Sequence, residues 1–525
     1  MITKKNTLIL PFLFILLLLI GCNIIGPEFI KPDAPVANQW LEVDDPKIST
    51  GKADFSEWWR SFNDPILDGL INQAYRQNLP LQIAGIRILE ARAQLGVAVG
   101  NVYPQQVQAG GSLSHVELSD NLPNASSLAD TSYRDVSVGF DVGWELDLWG
   151  RFARGIQAAD ADLLTSIADY DDILVSLTAS VATAYILIRT FEERLAIARE
   201  NVEIQQRSLK IADVRFQNGA TTELDVQQAK TLLLNTQASI PALQIGLQQS
   251  KHALSTLLGL TPSNLDELLG ETGVIPDAPA EVAVGIPAEL LRRRPDIRRA
   301  ELQAAAQSAR IGIAESDLYP QFSLTGSIGL RSSDTFSSDL GDLFQMNSIE
   351  AFGGPSFSWN IFNFGRIKNN VRVQDARFQQ LIVSYQNTVL EAAREVEDAL
   401  VGFLRSKEQV VFLTQSVEAA QRSVELALLQ YRDGVADYQR VLDTQEALVA
   451  QQDLLTSRKG DISTNLIAMY RALGGGWEIR QGNDFVPIDT KQQMKQRTNW
   501  GELLESSPSD SRENGENRSM PKPDW

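Results

Sequence analysis

Apolar residues along two long stretches recur at alternating steps of three and four. The first stretch, Gly150 to Gln217, contains Tyr170, Leu174, Leu177, Val181, Ala184, Ile188, Phe191 and Leu195, no proline, and glycines only at its start (Gly150, Gly155). The second, Gly365 to Tyr431, repeats the spacing with Val389, Ala392, Val396, Ala399, Phe403, Val417, Val424 and Tyr431, broken by Ser406. Sustained heptads predict helices that supercoil against partners of equal length. At ~1.5 Å per residue each helix is roughly 100 Å long. Asn218-Gly219 ends the first coil and Asp433-Gly434 the second, and a helical pattern then returns to Leu258 or Leu473. Glycine after Asn or Asp suits a helix reversal through the left-handed region. Pro241 is expected to kink the first return helix.

Elsewhere the period is two. Val136, Val138, Phe140, Val142, Trp144, Leu146 and Leu148 alternate with Ser137, Gly139, Asp141, Gly143, Glu145 and Asp147. Such a strand spans the ~25 Å apolar band of an outer membrane, and it equally fits a water-soluble sheet with one wet face. A less regular strand, Gln105 to Leu118, precedes it across a polar loop at 119–132. A second pair is predicted at Phe322–Leu330 and around Phe357, Trp359 and Ile361, with a polar loop at 331–351. Four strands cannot close a membrane barrel, and an open sheet edge is excluded from lipid. Several chains must share one barrel, as a dimer of eight strands or a trimer of twelve.

The two halves are copies. Tyr103-Pro104 recurs as Tyr319-Pro320, Trp144 as Trp359, Gly150-Arg151 as Gly365-Arg366 and Asn218-Gly219 as Asp433-Gly434, at offsets of 215 to 216. The chain divides into a signal segment (1–21), an extended strap (22–64), a first repeat (65–260), a Pro-rich linker or belt (261–287), a second repeat (288–477) and a polar tail (478–525) predicted to be disordered. Asp64 is placed to cap a helix that begins with Pro65.

A net charge of −19 argues against a nucleic-acid partner. His115 and His252 are the only histidines and Cys22 the only cysteine, so neither a His/Cys metal site nor an internal disulfide is expected. No nucleophile elbow, phosphate loop or catalytic cluster stands out, and no enzymatic activity is expected. Lys4 and Lys5 precede an apolar run from Leu8 to Ile20, too short for a comfortable transmembrane helix and fit for an export signal. The run ends Leu19-Ile20-Gly21-Cys22, which resembles a bacterial lipobox. The resemblance makes Cys22 the site of a diacylglycerol and an N-palmitoyl chain, with no other cofactor; multiple acyl chains anchor firmly. The following Asn23 is permissive for the outer membrane.

Gly285-Ile286-Pro287-Ala288-Glu289-Leu290-Leu291, Arg294-Pro295-Asp296-Ile297 and Ala300-Glu301 together resemble a signature of the outer membrane factors, the TolC-like exit channels of Gram-negative cells. Gly26-Pro27-Glu28-Phe29, Trp58-Trp59 with Asp64-Pro65, and Ala472-Leu473-Gly474-Gly475-Gly476-Trp477 resemble the OprM-like lipoprotein branch. The resemblance spans about residues 19 to 480. It implies an α+β membrane protein: a homotrimer with a 12-stranded outer-membrane β-barrel continued by a periplasmic 12-helix tunnel. It also implies passive efflux of drugs or other small molecules, received from an inner-membrane resistance-nodulation-division pump through a periplasmic adaptor. A type I secretion duct and a coiled-coil lipoprotein that spaces the envelope are the alternatives.

The same resemblance places a periplasmic gate where the coils turn. Asp443 matches an inward aspartate of the closed mouth, Arg440 replaces a second acidic position, and Tyr431 with Asp225 matches a tie that holds the coils shut. Asn218, Gly219, Asp433 and Gly434 are then the adaptor-docking tips. Read only as helix residues, Asp443 is a solvated acid, Asp225 a first-turn acid and Tyr431 a seam residue.

Overall fold

The computed structural model describes residues 24–51, 54–119, 132–263, 265–335 and 339–505. The signal segment, Cys22 and residues 506–525 lie outside the described residues. A short strand β1 (Ile48–Ser49) belongs to the strap. The Asp64 carboxylate accepts from the amides of Ile66 (2.9 Å) and Leu67 (3.3 Å) and so opens α1 (Pro65–Gln77). Asn78 interrupts the helix and caps α2 (Leu79–Gly100), accepting from the Leu81 amide at 3.0 Å. Strands β2 (Gln106–Glu117) and β3 (Ser132–Leu146) follow, then the coil α3 (Arg151–Gln217) and its return helix α4 (Glu223–Leu257). Helix α4 remains one element through Pro241.

After the belt, whose strand β4 (Val282–Ala283) pairs with β1, the order repeats. It runs α5 (Pro295–Ser316), β5 (Gln321–Ser333), β6 (Ile349–Ser358), α6 (Arg366–Arg432) and α7 (Tyr438–Ala472). The copies agree in length: α3 and α6 have 67 residues each, α4 and α7 have 35, α2 and α5 have 22. Both coils begin after a left-handed glycine, Gly150 (φ 77°) and Gly365 (φ 83°).

The four long strands form one antiparallel sheet in the order β2-β3-β5-β6. Paired residues share a face. The pairs Val107–Val142, Phe140–Ile328, Val138–Leu330, Leu330–Ile349 and Phe322–Phe357 make one face apolar across all four strands. Gln108–Asp141, Ser112–Ser137, Asp141–Ser327 and Ser323–Ser356 make the other polar. Val107, Leu113, Phe140, Ile328 and Phe357 are exposed within the protomer. Strands β2 and β6 end the sheet with unpaired outer edges among the described residues.

The fourth strand lies earlier than its sequence pattern predicts. It ends at Ser358, so Trp359 and Ile361 fall in the connection to α6, and it begins at Ile349, inside the expected loop. Gly353, Gly354 and Pro355 break the alternation, and an edge strand tolerates proline because one side of its backbone has no partner to lose.

The main core lies where strap, α1, belt and tail wrap the long helices. Trp58 stacks on Tyr470 (5.2 Å) and meets Trp59 edge-on (5.7 Å). The glycines after Ala472 make room for them: at Gly476 (φ 99°) a Cβ would lie 3.0 Å from Trp58 Nε1. Tyr185 donates to Asp64 (2.6 Å), and the buried Arg189 donates to Tyr185, Glu192 and the carbonyls of Leu269 and Glu271, bolting the belt to α3. Ser406, the break in the second heptad, is buried and receives a bond from Asn465 at 3.4 Å.

The tail is ordered through residue 505, contrary to its polar composition. It forms a 3₁₀ turn (Trp477–Arg480), α8 (Ile488–Arg497) and a second 3₁₀ turn (Gly501–Leu504). A few well-placed side chains suffice. Phe485, Val486 and Met494 are buried, Phe485 meets Tyr170 edge-on at 5.1 Å, and Arg480 pairs with the buried Asp171 at 2.9 Å.

Candidate functional site at the hairpin tips

Both coils end in the same way. Gly219 (φ 69°) donates to the Phe216 carbonyl at 2.9 Å and Ala220 to that of Arg215 at 2.8 Å. One repeat later Gly434 (φ 78°) donates to Tyr431 at 3.0 Å and Val435 to Gln430 at 2.8 Å. These bonds satisfy carbonyls that a helix end leaves open, and only glycine takes the left-handed conformation without penalty. Asn218, Gly219, Asp433 and Gly434 are all exposed.

Behind the turns, a small core of Ala212, Ala229, Ala427, Tyr431, Tyr438 and Val441 joins the two hairpins. Tyr431 is 1% exposed, and its hydroxyl donates to Asp225 Oδ2 at 3.2 Å. Thr221 donates its hydroxyl to the same oxygen. The Tyr431 ring meets Tyr438 edge-on at 5.2 Å, and the Tyr438 hydroxyl lies 3.0 Å from that of Ser208. Burial raises both phenols above their ordinary range, so Tyr431 stays a protonated donor at neutral pH.

The structure thus brings Tyr431 and Asp225 together across two hairpins. Asp443 and Arg440 stand apart from this pair. Asp443 is exposed and accepts from Gln439 at 2.7 Å, while Arg440 is exposed and its amide meets the capping carboxylate of Asp437 at 3.4 Å. Sequence reading missed Arg215. Its guanidinium donates to the carbonyls of Tyr431 (2.6 Å) and Arg432 (2.9 Å) and lies 4.7 Å from the centre of the Tyr431 ring. Heptad spacing carries no sign of such a contact, which depends on how the hairpins pack.

Residues 70–260 and 286–475 match the family model described as outer membrane efflux protein. The chain belongs to the outer membrane efflux protein family. The family is one of channel proteins, and this chain is an outer-membrane exit channel for efflux. Among its relatives is the toluene efflux pump outer membrane protein TtgI of Pseudomonas putida, 32% identical over 89% of this chain and 98% of that protein. The probable outer membrane lipoprotein SilC of Salmonella typhimurium is 29% identical over 88% of this chain and 97% of that one. The outer-membrane channel OprN superposes with a TM-score of 0.81 at 30% identity, covering 86% of this chain and 99% of that structure.

Proposed function

We propose that three copies of this chain close a 12-stranded barrel and a 12-helix periplasmic tunnel. The assembly passes small apolar or drug-like molecules delivered by an inner-membrane resistance-nodulation-division pump through a periplasmic adaptor. The observation that carries this reading is the four-stranded sheet with one apolar face, one polar face and two open edges, which lipid does not tolerate until sister chains close it.

A second feature supports it. Trp149 stacks on Tyr319 (4.9 Å) and donates to the Pro320 carbonyl (2.7 Å). One repeat later the counterpart of Trp149 is Phe364, fully exposed within the protomer at 101%. The counterpart of its target, Tyr103-Pro104, precedes β2 at the opposite edge of the sheet. In a ring of copies Phe364 of one chain meets Tyr103-Pro104 of the next.

In this reading Tyr431 and Asp225 tie the closed mouth and three Asp443 carboxylates ring its axis, attracting cations. The turns at Asn218-Gly219 and Asp433-Gly434 meet the adaptor, and acylated Cys22 anchors the strap in the outer membrane. Mass measurement in detergent and conductance in planar bilayers test it. A trimer should conduct weakly, and Tyr431→Phe and Asp443→Ala should each raise the conductance. A monomer that conducts nothing would sink the proposal; unchanged conductance in both variants would remove these residues from the gate. Cysteines at Asn218 or Asp433 should cross-link to an adaptor, and complete failure counts against docking there.

A further inference from the structure

The two hairpins of the chain meet along one seam, and Arg215 crosses it. The guanidinium leaves the last turn of α3 and binds the final carbonyls of α6, at Tyr431 and Arg432, while covering the Tyr431 ring. A fixed cation against the carbonyl end of a helix is favoured by the helix dipole, and the planar fork serves two acceptors at once. It also reaches the Ala220 carbonyl at 3.4 Å, so the same side chain braces its own turn. The hydroxyl of Tyr431 points the other way, to Asp225.

Duplication lets the seam be compared with its counterpart. Shifted by 215 residues, Arg215 becomes Gln430, Asp225 becomes Arg440 and Thr221 becomes Ala436, while Tyr431 falls back on Phe216. All four positions of the contact change, although the helix lengths and both turns are kept. In a ring of three chains, six hairpins meet at six seams, half within a chain and half between chains. The seam between chains presents Phe216 and Arg440 where the seam within a chain presents Tyr431 and Asp225. It has neither the phenol, the carboxylate nor the arginine that make the tie.

We propose that Arg215 is a positioning residue of the closed mouth, locking the two hairpins of each protomer together and so helping the Tyr431–Asp225 tie to hold the mouth shut. This rests on the trimeric reading above, although the Arg215 contact itself lies within one chain.

Single-channel recording of Arg215→Gln, Arg215→Lys and Gln430→Ala tests it, with thermal unfolding and mass measured on each variant. Arg215→Gln should raise conductance several-fold with an unchanged unfolding temperature, because the tips lie far from the main core. Arg215→Lys, which keeps the charge and loses the fork, should fall between it and the unmodified channel. Gln430→Ala should leave conductance unchanged. Adding Tyr431→Phe to Arg215→Gln should give less than the product of the single effects, because both act on one tie. Unchanged conductance in Arg215→Gln, or an equal rise in Gln430→Ala, overturns the proposal while a trimeric mass leaves the assembly standing. A monomeric mass overturns the assembly and with it the seam argument.

Discussion

Asn78 and Arg294 stand at the same place in the two repeats and grip the same target with different chemistry. Asn78 Nδ2 donates to the carbonyl of Leu257, the last residue of α4, at 2.9 Å; Arg294 donates to Ala472, the last residue of α7, at 2.8 Å. Each side chain ties the start of a short helix to the end of its repeat's return helix. Arg294 also binds Asp296 (2.7 Å) and Glu395 (2.8 Å) while largely buried, and these carboxylates hold its guanidinium firmly charged against the cost of burial. Arg294→Ala leaves Asp296 and the part-exposed Glu395 without their guanidinium and should cost about 3 kcal/mol. Asn78→Ala loses a cap and one bond and should cost about 1–2 kcal/mol. Thermal unfolding in detergent measures both, and an equal loss would refute the ranking.

Tyr185 makes the belt sensitive to alkali. Burial, with the bond to Asp64, pushes its phenol up to about 12 from the ordinary value of 10. The folded state favours the protonated phenol. Its share of stability is therefore complete below the unfolded value near pH 10 and is lost as pH rises through 12. Tyr185→Phe should lower stability at pH 7 by about 1–2 kcal/mol and weaken the fall between pH 10 and 12. Unfolding temperatures recorded from pH 7 to 12 decide it; an undiminished alkaline fall in the variant would assign the effect to other groups.

Gly85 tests the docking of the tail by the sign of its effect. A Cβ there would run into the carbonyl oxygen of Phe485, a backbone atom that cannot turn aside. Gly85→Ala should destabilise by about 1–3 kcal/mol and expose 478–505 to protease. Were the tail detached, the same change inside α2 would instead stabilise by ~0.5–1 kcal/mol, because alanine favours the helix. Unfolding temperature and mass spectrometry of the digests distinguish the two.

Arg154 fixes the strap below the sheet. It is 2% exposed and donates to the carbonyls of Ile25 and Gly26 (both 3.0 Å), to Glu28 (2.9 Å) and to Gln157 (2.8 Å). Ile25 also donates its amide to the Trp149 carbonyl at 3.1 Å, just before α3 begins. Arg154→Ala should release this segment, raising amide exchange at Ile25, Gly26, Glu28 and Phe29 by tenfold or more, about the worth of one buried charged bond. Unchanged protection there would show that contacts other than Arg154, such as the Ile25–Trp149 backbone bond, hold the strap.

The long elements were legible because their periodicity is physical and uninterrupted. The heptads led to Gln217 and to Tyr431, one residue before the second coil ends at Arg432, and the offset between copies led to paired helices of equal length. The first sheet pair was legible in its alternation, whereas Gly353, Gly354 and Pro355 hid the start of β6. The stretch 478–505 was misread because composition averages over residues, and Phe485 and Arg480 act singly. At the tips, Tyr431 and Asp225 came from resemblance, but Arg215 did not. Its contact spans 216 and 217 residues of sequence and obeys no period.

Matched hairpins bind the protein's reach to a rule of paired change. Deleting seven residues from one arm of a coil and seven from its return would preserve its heptad and withdraw its tip by ~10 Å. Arg215 would then point at the wrong turn of its neighbour, and Tyr431 would lose Asp225. Only the same cut made in both halves keeps the mouth level, so any lineage that adjusts this conduit to a wider or narrower periplasm must edit its gene twice.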